Sequence, residues 1–402
     1  MIRREFLGKL GWGAVGAAGL YLAGEGISSL FTEGKEIGEK REIQPEYRRT
    51  MRKVLISMNL KHGNLGTGAD TTDLIERTLP DYTEIACVVP ASQADAIKQW
   101  FSKRYEQRSV EWIEVADKYL SADDFWTQDW GELVTIDGKE GFVVPMVPHK
   151  DNGNFNNEER DQIRNLHEVA KLVFGLDKIR EADFCFAGGN LLVDQTPDGT
   201  TVFIGYDDVM KTKEDYRLRG NDISNEEIAA RISRQFGGAN VRIMGSDKQS
   251  AISFHLDQSF LLLEGKVAVV NELTGDAEQK DMQGAAQQRY YKEQLENAGY
   301  TVHTLHQEHF GPYQSVNALP FVDQRDGQKK IIYPVFGNEL AGDYDTPGTL
   351  LTKERLKGKA LEAYTLFEQL GYQPLPTRDF AYHPRYDQIT TGSLHCAVLA
   401  RE

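Results

Sequence analysis

From about Lys53 onward, short apolar or alternating runs give way to stretches with apolar positions three and four apart, the patterns of strands and amphipathic helices. That spacing predicts helices near Thr72–Leu79, Gln93–Tyr105, Gln162–Phe174, Asn225–Phe236, Gly284–Ala298 and Lys353–Leu370, each followed within a few residues by a β-like run. Four pairs of β-like runs are joined by an acidic residue and a glycine: Asp137-Gly138, Asp198-Gly199, Glu264-Gly265 and Asp326-Gly327. Such a dipeptide between apolar runs predicts a hairpin, because the tight turn needs positive φ, which glycine adopts freely. The turns recur in near-constant steps of about 60 residues, so the chain reads as an α/β array of helix-plus-hairpin units.

Polar residues recur in step with these turns. Asp129 and Asn190 each lie eight residues before their acidic turn residue; His255 and Asp257 lie nine and seven before Glu264, and Asn317 lies nine before Asp326. Polar groups inside apolar runs are costly to bury, so their shared register implies a shared purpose. In a linear solenoid they would line a ridge; in a closed ring they would converge on one axis. Taken singly, His255 reads first as a satisfied core histidine, and Asp129 could be the cap of a turn. Together they favour the ring, and convergence of such groups is what an active site requires.

Composition adds boundaries. The 402 residues carry a net charge of −15, a poor match to nucleic acid and compatible with a cationic substrate or partner. Three scattered cysteines, Cys87, Cys185 and Cys396, form no C-x-x-C pair, so no zinc site or disulfide framework is expected. Arg3-Arg4-Glu5-Phe6-Leu7 ahead of the apolar stretch Leu10–Ala23 is similar to a twin-arginine export signal. Residues 1–31 are therefore expected to be a signal or anchor, with export or a membrane tether as the consequence. Residues 32–52 read as a polar linker and 53–402 as one catalytic domain.

The chemistry these residues suit is guanidinium cleavage. Cys396, in Thr390-Thr-Gly-Ser-Leu-His-Cys396, is the candidate nucleophile, since a thiolate is the reactive form and a nearby cation favours it. His255 is the candidate general acid–base, since a histidine side chain ordinarily gives and takes protons near neutrality. Asp129 and Asp257 could grip a guanidinium through paired charge-assisted hydrogen bonds, and Gly188-Gly189 would let backbone approach a ligand closely.

These segments resemble the peptidylarginine and agmatine deiminases, the guanidine-modifying branch of the pentein fold. Trp126-Thr-Gln-Asp129 is similar to the family's W-x-x-D, Gly189-Asn190-Leu191 to its G-N-L, His255-Leu-Asp257 to its H-x-D, Ser315-Val-Asn317 to a V-N segment, and Gly392-Ser-Leu-His-Cys396 to its C-terminal G-x-x-H-C. The resemblance implies a five-bladed pseudo-symmetric α/β propeller without cofactor or metal. Asp129, His255, Asp257 and Cys396 would be catalytic; Trp126, Gly189, Asn190 and Asn317 would bind substrate. It also implies a covalent thiouronium intermediate and a ureido product. Ala187 stands where agmatine deiminases usually carry Glu, which points toward arginine in peptides or proteins. Agmatine or free arginine hydrolysis, amidino transfer and a non-catalytic binding role are the alternatives. Arg160 is a candidate for holding a peptide backbone.

Overall fold

A computed structural model describes residues 39–58, 78–104, 108–120, 127–246, 255–280, 282–307, 316–335, 339–341, 351–378 and 399–401. The chain separates into residues 1–38, which lie outside the described residues, and a unit from Glu39 to Glu402. No described helix is long and apolar enough to cross a membrane.

The strands in order are β1 (Arg41–Glu42), β2 (Lys53–Ser57), β3 (Glu84–Pro90), β4 (Val110–Val115), β5 (Glu132–Ile136) and β6 (Lys139–Val144). They continue with β7 (Ile179–Glu181), β8 (Leu191–Thr196), β9 (Gly199–Gly205), β10 (Asn240–Met244), β11 (Phe260–Leu263) and β12 (Val267–Leu273). The last are β13 (Thr301–Gln307), β14 (Leu319–Val322), β15 (Lys329–Val335), β16 (Gln373–Arg378) and β17 (Leu399–Arg401). The helices are α1 (Ala94–Arg104), α2 (Asn157–Phe174), α3 (Tyr206–Leu218), α4 (Asn225–Gln235), α5 (Gly275–Lys280), α6 (Met282–Asn297) and α7 (Gly358–Gln369).

Among the described residues the strands form five sheets, ordered β1-β5-β6-β7, β10-β9-β8, β11-β12-β13, β14-β15-β16 and β17-β2-β3-β4. One motif repeats. An antiparallel hairpin is followed by a helical crossover to a parallel third strand, as in β5-β6-β7, β8-β9-β10, β11-β12-β13 and β14-β15-β16. The four expected acidic-glycine turns join these hairpins. At Asp137-Gly138 both residues have positive φ, 49° and 77°, the conformation a two-residue turn demands. The fifth sheet draws on both ends of the chain: β17 runs antiparallel to β2, which pairs in parallel with β3.

Apolar clusters lie between sheets. One joins β5–β6 to β8–β9 through Val134, Val143, Leu191 and Val202. Others join the second sheet to the third, the third to the fourth, and the fourth to the fifth, around Phe203 with Phe260, Leu263 with Tyr333, and Ile56 with Phe321. A last cluster joins fifth to first through Leu55, Val88, Leu133 and Phe142. Each large side chain removed from water in these layers contributes about 1.5–3 kcal/mol.

Two expectations are corrected. The linker reading of 32–52 fails for its described part. Ile43, Tyr47 and Met51, four residues apart, are buried, β1 pairs with β5, and the Val322 amide donates to the Arg49 carbonyl at 3.0 Å. This segment is a strap across the sheets. Its polarity conceals it, because Tyr47 and Arg49 are buried against charged partners. Second, α3 has no predicted counterpart. Its stripe is thin, and Asp208, Thr212 and Asp215 share burial with Val209. Helix α2 also begins ahead of its apolar stripe, started by a reciprocal cap between Asn156 and Glu159. The expected helix at Thr72–Leu79 falls, but for its last two residues, outside the described ones.

Candidate active site

Each hairpin is entered through a short turn, and these turns carry the in-register polar residues. Thr127–Trp130 leads into β5, Gly188–Asn190 into β8 and Leu256–Gln258 into β11, all as single 3-10 turns; a bend at Val316–Asn317 leads into β14. The hairpin strands that follow are of similar length, four to six residues, and place these entries at the same end of successive sheets, which explains the register seen in the sequence.

The turns meet. A Cβ placed on Gly189 would lie 2.8 Å from His255 Nδ1 and 2.9 Å from an Asp257 carboxylate oxygen; one placed on Gly188 would lie 1.8 Å from the Gln128 carbonyl oxygen. Only glycines fit between the first turn and the third. His255 and Asp257 are 4% and 2% exposed, and the Asn317 side-chain amide donates to the Asp257 carbonyl at 3.5 Å. So four separate turns contribute to one locus, and Gly189, His255, Asp257 and Asn317 are brought together there. Asp129 is the third residue of the Thr127–Trp130 turn, but its side chain lies outside what the structure describes. Trp126, His395 and Cys396 lie outside the described residues.

Flanking chain ties this locus to the last strand. Thr127 Oγ1 donates to the Leu55 carbonyl at 2.9 Å and accepts from the Leu399 amide at 3.2 Å. Leu399 stands three residues after Cys396. Burial pushes the thiols of Cys87 and Cys185 well above the usual range, which removes them as nucleophiles at neutral pH.

Asn190 has a different occupation from the one its motif suggests. Its side-chain amide donates to Asp207 and Asp208, both at 2.8 Å, and the Ala187 amide donates to Asp208 at 3.1 Å. The glycine turn is thereby bolted to the start of α3. Burial pushes the Asp208 carboxyl above its ordinary range, opposed by Lys211. For Lys211 burial works against the charge, and Asp208 and Asp207 outweigh it and raise its pKa. This carboxylate clamp is absent from the motif reading, since nothing in α3's pattern marks it. Arg160 is occupied as well, donating to the Phe155 carbonyl at 2.8 Å and to Asn157 near the N-terminus of α2. It does not reach out as a peptide-binding arginine would.

With sheets, entry turns and buried His-Asp pair in place, comparison with solved structures is decisive for the architecture. A Campylobacter jejuni agmatine deiminase superposes with a TM-score of 0.60 over 90% of this chain and 97% of its own, at 13% identity. The fold is that of the guanidine-modifying pentein deiminases. A cysteine-to-serine form of the same enzyme, solved with substrate bound, matches at a TM-score of 0.58 and 12% identity over 90% and 97%. A Porphyromonas gingivalis structure assigned as an arginine deiminase matches at 0.58 and 13% over 90% and 98%. No sequence-family model matches the chain, and no curated protein matches it in sequence. The deiminase fold is thus evident from shape at an identity where pairwise sequence comparison is silent.

Proposed function

We propose that this chain is a hydrolytic deiminase of guanidino groups, acting on arginine in peptides or proteins to give citrulline and ammonia. The observation that carries this reading is the meeting of His255 and Asp257 with the Gly188-Gly189 turn in a pentein-type fold. Under the same reading the five sheets, with apolar clusters joining each to the next and the last to the first, form the five blades of a closed propeller with the site on its axis.

In this mechanism Asp129 and Asp257 hold the planar cation through charge-assisted hydrogen bonds. The Cys396 thiolate attacks the guanidinium carbon, forming the C–S bond. A C–N bond then breaks, and the leaving nitrogen takes a proton from the His255 imidazolium, releasing ammonia and a thiouronium. Water adds to the thiouronium carbon, forming the C–O bond as His255 accepts one proton. The C–S bond then breaks, and the remaining hydroxyl proton leaves to solvent, where it is taken up by the released ammonia. The ureido product departs with the thiolate restored. Excess negative charge on the protein favours encounter with a cationic substrate. The twin-arginine-like start supports an exported location for this activity.

Agmatine is the second reading, favoured by the match to the Campylobacter jejuni enzyme; Ala187 argues for the peptide. The experiment measures ammonia and ureido product from the full chain with a blocked arginine peptide, free arginine or agmatine, each beside Cys396→Ala. The expected result is citrulline from the peptide without any added amine acceptor, and a loss of at least about 10³-fold in the variant. Full turnover by Cys396→Ala would refute the mechanism. Silence on all three substrates would leave amidino transfer or a binding role.

A further inference from the structure

The strap sends an arginine into the interior. The Arg49 guanidinium, on a side chain 5% exposed, donates to Glu132 Oε1 at 2.7 Å and to the Gln44 carbonyl at 3.3 Å, with Glu46 3.7 Å away. Glu132 is the first residue of β5, separated only by Gly131 from the turn that carries Asp129. Its second oxygen accepts from Gln128 Nε2 at 3.4 Å, and Gln128 is the residue before Asp129. On its other side the Gln128 carbonyl packs against Gly188. Arg49, Glu132 and Asp257 line one small cavity of about 20 Å³, together with residues of β8 and β11 and with Val316 and Ala318 just before β14. The strap's cation therefore lies on the inner side of the same turns that present His255 and Asp257.

A buried ion pair is poor evidence for stability, since desolvating both partners offsets most of their attraction. Holding a geometry is the better account of this one. We propose that Arg49 is a positioning residue of the deimination site: through Glu132 and Gln128 it fixes the Thr127–Trp130 turn, and hence where Asp129 stands. The inference rests on the deiminase reading and extends it, because it makes a segment outside the repeating units part of the catalytic apparatus. The strap adds to the turn's support through a single guanidinium nitrogen, Nη2 of Arg49, which reaches Glu132 and the Gln44 carbonyl at once from a rigid, planar group.

The test compares full-length parent, R49K and the double variant R49M/E132M, which removes the pair without stranding a buried charge. Two readings are taken: hydrogen exchange of the amides from 128 to 131, and kcat/KM on whichever substrate the parent turns over. The expected result for the double variant is a thermal midpoint close to the parent's, turn amides exchanging at least about tenfold faster than in the parent, unchanged protection in β6, and kcat/KM down at least about tenfold. R49K, keeping the charge and losing the planar guanidinium, should fall between. Unchanged exchange of the turn overturns the inference whatever the activity does. Faster exchange with parental kcat/KM also overturns it, for then the pair serves stability alone. If the double variant does not fold, R49K decides by the same two readings. A parent that turns over none of the substrates refutes the deiminase reading and this inference with it, and is recognised before any variant is made.

Discussion

Gly189 shows how little room the candidate site leaves at a single atom. An alanine there would put its methyl carbon within 3 Å of both His255 Nδ1 and an Asp257 oxygen, below any ordinary contact distance. The neighbours are the two side chains on which the proposed proton transfers depend, so relief moves one of them. Gly189→Ala is expected to cost about 1–3 kcal/mol of stability as overpacking and at least about 100-fold in kcat/KM through misplacement. Thermal melts and steady-state kinetics on the same preparation check this; a loss of stability with full activity would contradict it. Part of this neighbourhood was legible in the sequence, because the turn-to-turn register pointed to His255, Asp257 and Asn317, which the fold brings together, without any structure. The Arg49–Glu132 pair was not: two charges 83 residues apart carry no mutual signal until the fold brings them together. Asn190 was found by its motif, and its clamp on Asp207 and Asp208 was hidden for the same reason.

Elements defined by a clear period were read correctly, and those held by polar partners were not. The four hairpins and helices α1, α4, α6 and α7 follow from apolar spacing and turn chemistry. Helix α3 and the strap mix buried apolar residues with buried ion pairs and hydrogen bonds, for which composition predicts exposure. Helix α7 illustrates the cost of such partners. Lys359, at its start, donates to Asn271 at 2.6 Å, and burial pulls its pKa down to about 8, against the nearby charges of Glu339 and Glu362. Between about pH 8 and the ordinary lysine value of 10.5, the unfolded chain binds the proton more often than the folded one. Stability should therefore rise with pH across that window, as the penalty for a buried charge disappears. Urea melts at pH 8 and pH 10 check the sign, and Lys359→Met should flatten the difference. An unaltered pH dependence in that variant would assign the effect elsewhere.

At the level of the whole molecule, the sequence predicted a repeating α/β array and a ring, while the sharing of one sheet between distant segments lay beyond it. No hairpin signal links β17 to β2, because no turn connects them. Their pairing joins Leu399 to Leu55, and the Leu399 amide also reaches the Thr127 hydroxyl at the entry to β5. This gives the fold a high-contact-order closure, and loop-closure entropy makes such pairings slow to form. Apart from the short β1–β5 pairing, the other four sheets are assembled from neighbouring segments and face no such delay. Refolding from denaturant should then recover helical circular dichroism ahead of enzymatic turnover, with the lag shortened when β17 is strengthened and lengthened when Leu399 is replaced by Asp. Simultaneous recovery of both signals would exclude the idea. On the deiminase reading the pairing of β17 with β2 would serve as a timer: a partly folded chain would carry most of its architecture and act on a substrate only once its two far-apart strands had met.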